Sequence, residues 1–130
     1  MLILDTSAAL GALIGYPLNS ALVERLSADG DLHAPHLIDV ETLHALRRLV
    51  RRGELDADRA EGARRDFADL AITRYPHEPL VDRMWELRDN LSAYDAAFVA
   101  LAEALEAPLV TSDRRLAAAA GHRAEVETFR

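Results

Sequence analysis

Twice in this chain a short apolar run ends on a word that starts a helix with an aspartate: Leu2–Leu4 meets Asp5-Thr6-Ser7, and Leu109–Thr111 meets Ser112-Asp113. A brief, continuous apolar run fits a strand covered on both faces, and Asp, Ser or Thr just beyond it is a favoured helix N-cap. A strand that feeds a helix must find another strand beside it, which leads to a mostly parallel sheet with helices on its faces.

The punctuation between these two words supplies the rest of the order. Ala8, Ala9, Leu10, Ala12, Leu13 and Ile14 give the first helix its apolar positions, and Tyr16-Pro17 breaks it. Asn19 or Ser20 caps a second helix carrying Leu22, Val23 and Leu26; Asp29-Gly30-Asp31 is a turn, and Leu32 to Ala34 is a strand closed by Pro35. Between Leu37 and Arg52 the positions Val40, Leu43, Leu46 and Val50 recur at helical spacing, with Gly53 as the C-terminal stop. Leu55-Asp56 opens an amphipathic helix to Asp69, antiparallel to the one before it. Leu70 to Tyr75 reads as a third strand, and Glu78 to Leu91 as one helix in which Met84 and Trp85 pack inward. Ser92 starts the most apolar helix, Ala93 to Glu106; Pro108 to Thr111 is the fourth strand and Val126 to Phe129 a candidate fifth.

The 130 residues, half of them apolar, suit one domain over 1–130 with its own core. The absence of cysteine excludes disulfides, thiolate metal sites and cysteine nucleophiles. No stretch approaches the ~20 apolar residues of a membrane span, and the N-terminal run is short for a signal peptide. A soluble, cytoplasmic protein without a membrane partner is expected. The net charge of −7 opposes long-range attraction of nucleic acid, so any chemistry on nucleic acid needs local arginine clusters or bound cations. All fifteen basic residues are arginine.

In a parallel α/β sheet, helix N-termini lie at the same edge as strand C-termini, and ligands collect there. Asp5 and Asp113 stand at strand-to-helix junctions, while Glu41 and Asp95 stand near the starts of their helices, so topology sends all four acids to one rim. Each alone also has an ordinary structural use. Asp5 and Asp113 are good N-caps, Ser92 and Asp95 fit a capping box, and Glu41 suits a helix dipole. Glu41 lies nearly opposite the Leu43/Leu46/Val50 stripe, whereas Asp95 shares a face with Phe98, Val99 and Ala102 and is expected to be buried.

Taken together, the four acids have an electrostatic problem. Two like charges ~4 Å apart repel by about 4 kcal/mol at an effective dielectric of about 20. Either some carboxyls keep protons, or a hard divalent cation such as Mg²⁺ binds among them. Such a site suits in-line phosphodiester cleavage with no nucleophilic side chain.

The words Leu2–Ala8, Ala34–Glu41, Ser92–Phe98 and Leu109–Asp113 occur in order across nearly the whole chain, and in them the sequence resembles the PIN-domain nucleases, most closely the VapC-like ribonuclease toxins of type II toxin–antitoxin systems. The resemblance implies a PIN-domain-like three-layer α/β/α sandwich with a mostly parallel central sheet of four to five strands. It places the family's acids at Asp5, Glu41, Asp95 and Asp113, and implies a Mg²⁺- or Mn²⁺-dependent endoribonuclease that cleaves tRNA or rRNA and inhibits translation. It further implies a small cognate antitoxin and a homodimer or toxin–antitoxin hetero-oligomer.

Around the acids, the hydroxyls of Thr6, Ser7, Thr111 and Ser112 either orient carboxylates or cap backbone. Arg114 or Arg115 either contacts a phosphate or sits in solvent at a helix start. Arg47, Arg48, Arg51 and Arg52 either complement a helix C-terminus or contact RNA or antitoxin. Tyr94 either stacks on a base or is a partly buried helix-start tyrosine. The five histidines show no zinc spacing. Two other classes of function remain: a small-molecule phosphohydrolase, weakened because Ser7 stands where a second acid would, and a non-catalytic module that keeps the fold.

Overall fold

The computed structural model describes residues 1–15 and 18–130; the expected break at Tyr16-Pro17 lies outside them. The chain runs β1 (Leu2–Leu4), α1 (Thr6–Ile14), α2 (Ser20–Ala28), β2 (Leu32–Pro35), α3 (Leu37–Arg51), α4 (Ala57–Asp69), β3 (Ile72–Tyr75), a 3-10 turn (Glu78–Leu80), α5 (Val81–Glu86), α6 (Ala93–Leu105), β4 (Leu109–Thr111), α7 (Arg114–Ala118) and β5 (Val126–Thr128).

All five strands are parallel, in the order β3-β2-β1-β4-β5. From β1 the chain first steps outward through β2 to β3, then returns to the other side of β1 for β4 and β5. The strand order therefore reverses between β1 and β4, where a crevice opens at the carboxyl ends of the strands. The helices pack in two sets, α1–α4 and α5–α6, and the right-handed rule for parallel crossovers assigns the two sets to opposite faces, giving the three layers. In register, Ile3 stands between His33 and Leu109, and Leu4 pairs with Val110.

The apolar runs form strands because they are enclosed. Leu2, Ile3, Leu4, Leu109 and Val110 have no solvent exposure. Helix α6 lies across β1, β2 and β4 with α5 packed against it, and every residue from Ala96 to Glu103 is buried. Asn19, rather than Ser20, caps α2 by accepting the Leu22 N–H. Pro35 ends β2 beyond the last residue paired with β1, where its missing donor costs nothing. Gly53 takes φ +72° and closes α3 as expected. Among the described residues no helix is long and apolar enough to cross a membrane.

Three expectations fail. The buried stripe of α3 is Ile38, Thr42 and Leu46, while Val40 and Leu43 are 66% and 52% exposed. A threonine in the stripe hides it from an apolar count, and the shift turns Glu41 from the far side of the helix to the flank of its buried face. The segment expected as one helix over Glu78–Leu91 is a 3-10 turn, a short α5 and a reversal at 87–90, because Asp89 and Asn90 favour turns and the chain must double back before Ser92. Trp85 does not pack inward: it is 67% exposed beneath the Arg88 guanidinium, 4.5 Å from its ring. Met84 does pack against the core.

Candidate active site

The crevice at the β1–β4 switch point is a cavity of about 740 Å³, lined by Asp5, Glu41, Asp95 and Asp113 together with Arg48, Tyr94 and Arg115. Asp5 comes from the end of β1, Glu41 from the second turn of α3, Asp95 from the first turn of α6 and Asp113 from the end of β4. The four acids share one rim, as the topology requires.

Their local bonds differ in kind. Asp5 is buried and fully engaged: Oδ1 accepts the Ala8 N–H at 2.9 Å and the Ser7 hydroxyl at 2.8 Å, and Oδ2 accepts the Thr111 hydroxyl at 2.5 Å. It caps α1 and joins β1 to β4 at once. Glu41 accepts the Thr6 hydroxyl at 2.7 Å. Thr6, Ser7 and Thr111 therefore do orient carboxylates. Ser112 does not; its backbone N–H donates to Ser7 Oγ at 2.9 Å.

Asp95 is the acid without a structural job. The Ser92 hydroxyl accepts the Asp95 backbone N–H at 3.1 Å, but the reciprocal half of the capping box does not form. Among the described residues its carboxylate takes no salt bridge and no backbone N–H, only a slight easing of its charge by the Ser92 hydroxyl, and it is half-buried rather than buried. Asp113 is the most heavily paired: it accepts the Arg115 N–H, and its two oxygens take the guanidinium, with Nη2 at 2.7 Å. Arg115 thus faces the cavity, which Arg114 does not line. Arg47 and Arg51 line a separate groove against α4.

The electrostatics single out the cavity. Burial is the first cause of raised pKa values at Asp5, Glu41 and Asp95. Mutual repulsion is secondary: the Asp95 charge pushes Asp5 and Glu41 up, and the Asp113 charge pushes Asp95 up. Desolvation, more than crowding, raises them. Asp113 moves the other way because Arg115 holds its charge.

Asp5 is raised from 3.8 to about 6. A folded-state acid that holds its proton above the unfolded value loses stability as pH climbs between the two values, and the whole penalty stays in place above the higher one. At about 1.4 kcal/mol per pH unit that penalty is roughly 3 kcal/mol. Asn cannot titrate, so in chelator the stability of the wild type relative to Asp5→Asn should drop by this amount between about pH 4 and pH 7. Urea melts across that range measure it, and a pH-independent difference contradicts it.

An oxygen-only set of three partly or wholly desolvated acids fits a hard divalent ion. Among the described residues no three acids or histidines already enclose a point where an ion would sit. Mg²⁺ keeps several of its waters, so acids spread around a cavity can hold it partly through water as well as by direct contact. Sequence reasoning missed the wall of the cavity. Leu37, Val40 and His44 line it, and His44 and Arg48 continue the helical face of Glu41, a periodicity that starting from the acid would have exposed. Tyr94, expected partly buried, is 61% exposed at its mouth.

Fold and site together define a parallel α/β protein with an acid-lined crevice at its switch point. The chain belongs to the PIN domain family, whose defining pattern matches residues 2–122. Within that family it is similar to Ribonuclease VapC9 of Mycobacterium tuberculosis, 50% identical over 116 residues that cover 89% of this chain and 88% of that one. Ribonuclease VapC1 of the same organism is 41% identical over 129 residues, covering 98% and 97% of the two chains. The fold is shared with VapBC2 from Rickettsia felis, solved bound to a promoter DNA fragment, at a TM-score of 0.74 and 13% identity over 99% of this chain and 98% of that one.

Proposed function

We propose that this chain, acting over residues 1–130 as one nuclease unit, is a Mg²⁺- or Mn²⁺-dependent endoribonuclease: the toxin of a type II toxin–antitoxin pair that cuts tRNA or rRNA in the cytoplasm and so inhibits translation. The observation that carries the reading is Asp95, a half-buried carboxylate that among the described residues takes no salt bridge and no backbone N–H, in a cavity shared with two other acids of raised pKa. Its resemblance to the VapC ribonucleases supports the same conclusion. The phosphohydrolase alternative has no second acid beside Asp5, because Ser7 stands there with its hydroxyl committed to Asp5.

Asp5, Glu41, Asp95 and Asp113 would hold the ion. When bound, it polarises the phosphoryl oxygen, lowers the pKa of attacking water and stabilises the leaving oxygen. The chain's own residues do the rest. Thr111 and Ser7 hold both Asp5 oxygens in place, and Thr6 fixes Glu41. Arg115 gives up Asp113 before that carboxylate can act as a ligand; being 85% exposed, its guanidinium is then available to a substrate phosphate. Asp5 must be ionised to act as a ligand, so the metal-free protein takes up the ion less readily as pH falls below about 6. A small cognate antitoxin is the natural partner, in a homodimer or a toxin–antitoxin hetero-oligomer.

The test is to incubate purified protein with total cellular RNA and Mg²⁺ or Mn²⁺ and map the new ends. Discrete cuts that vanish in excess chelator are expected. Undiminished cutting in chelator, or turnover of simple phosphate esters with RNA left intact, contradicts the proposal.

A further inference from the structure

Two large apolar side chains stand in solvent at the cavity, and nothing among the described residues packs over them. Tyr94 directly precedes Asp95 on α6 and is 61% exposed; Val40 directly precedes Glu41 on α3 and is 66% exposed; both line the cavity. Among the described residues the Tyr94 hydroxyl makes no hydrogen bond and its ring has no aromatic or cationic partner. Other exposed apolar side chains are placed elsewhere: Leu43 lies in the α3–α4 groove, and Trp85 is capped by Arg88.

Leaving an aromatic ring wet beside carboxylates contributes nothing to stability, so its placement calls for an occupant with a flat apolar face. The same cavity presents Arg48 and Arg115, two cations suited to phosphates. Aromatic and apolar surface interleaved with arginine is the composition that binds unpaired nucleotides: the guanidinium groups track the backbone and the ring takes a base. A base inside a helix has no free face to offer.

We infer that Tyr94, with Val40 completing the apolar contact, holds a nucleobase next to the scissile phosphate, so that RNA is cut where one base is unstacked. This rests on the ribonuclease reading above. Tyr94 is then a specificity-determining residue, adjacent in sequence to one proposed ligand as Val40 is to another. The base contact and the metal site are therefore set by the same two helix starts.

Asp5→Asn protein, used as a non-cleaving background, is titrated with a short fluorescein-labelled RNA copied from a mapped cut site, and with the same RNA made abasic at one position at a time. Adding Tyr94→Ala is expected to weaken binding about 5- to 100-fold, the range for losing one base–aromatic stack. Tyr94→Phe and Tyr94→Trp keep it. One abasic position beside the cut loses a similar factor and becomes indifferent to Tyr94→Ala, which a general loss of folding would not produce. Intact RNA binding that ignores Tyr94→Ala overturns the inference and leaves the ribonuclease reading standing. So does a loss equal on every abasic RNA, or a Tyr94→Ala protein that binds RNA normally but no longer captures its co-expressed antitoxin. A background with no RNA affinity, alongside wild type that cuts nothing, removes both readings.

Discussion

Asp95→Asn abolishes RNA cleavage while the protein stays folded. The carboxylate makes no hydrogen bond that the fold relies on, and the Ser92 cap is made to the Asp95 backbone N–H, which asparagine keeps. Asparagine is close in volume and removes one half-desolvated charge that pushes up Asp5 and Glu41. Melting is therefore expected to hold or rise slightly. Chemistry is another matter, because the change removes a proposed ligand from the reacting centre. Charge stabilisation by a catalytic metal is worth several kcal/mol, and each loss of about 1.4 kcal/mol is tenfold in rate. A fall on the order of 10³-fold follows. Initial cleavage rates beside thermal melts check it. An Asp95→Asn enzyme within about tenfold of wild type at equal Mg²⁺ contradicts the assignment.

The second large effect lies away from the cavity. The Glu103 side chain is only 2% exposed, inside the packing of α6 against α5, and Arg83 grips both of its oxygens at 2.7 and 3.0 Å. Arg83 also donates to the Gly121 carbonyl at 3.1 Å, and the Arg123 N–H donates to Glu103 at 2.8 Å. One guanidinium thus ties α5 to α6 and to the turn before β5. Replacing a paired buried ion by an apolar group leaves its partner uncompensated, at a cost of about 3–5 kcal/mol. Arg83→Met should lose about 3 kcal/mol, the low end, since Arg83 is 28% exposed, water can reach part of the gap, and the Arg123 guanidinium remains 4.0 Å from Glu103. In a chain of this size that corresponds to roughly 10 °C in melting temperature. Arg83→Met together with Glu103→Met should recover much of it, because the stranded charge is gone. A single variant that melts with wild type contradicts the argument.

Neither the shortness of α5 nor this ion pair was legible beforehand, and for the same reason. The pair joins residues twenty positions apart, and the helix is cut short by a reversal that only the position of α6 demands. By contrast, β1, β4 and the acids that follow them were plain in the sequence. Enclosure on both faces writes itself as an unbroken apolar run, and the switch point converts strand ends into neighbours without any side-chain detail. The stripe of α3 was misread because Thr42, fully buried, counts as polar in any apolar pattern. Among the described residues its hydroxyl has no partner, so the packing that buries it overrides its own chemistry. The exposure of Tyr94 was hidden as well: a helix-start aromatic looks alike in sequence whether it packs inward or stands at a cavity mouth. Four acids on one rim could be anticipated; the commitment of Asp113 to Arg115, an exposed pair two residues apart, could not.

The central claim is that these acids grip a divalent ion, and a calorimetric titration of metal-free protein with Mn²⁺ addresses it most directly. Saturable binding is expected at neutral pH, weakened well below about pH 6 where Asp5 holds its proton, and lost in Asp95→Asn. Binding of Mn²⁺ by Asp95→Asn as tight as by wild type, or no binding to the wild type at all, contradicts it.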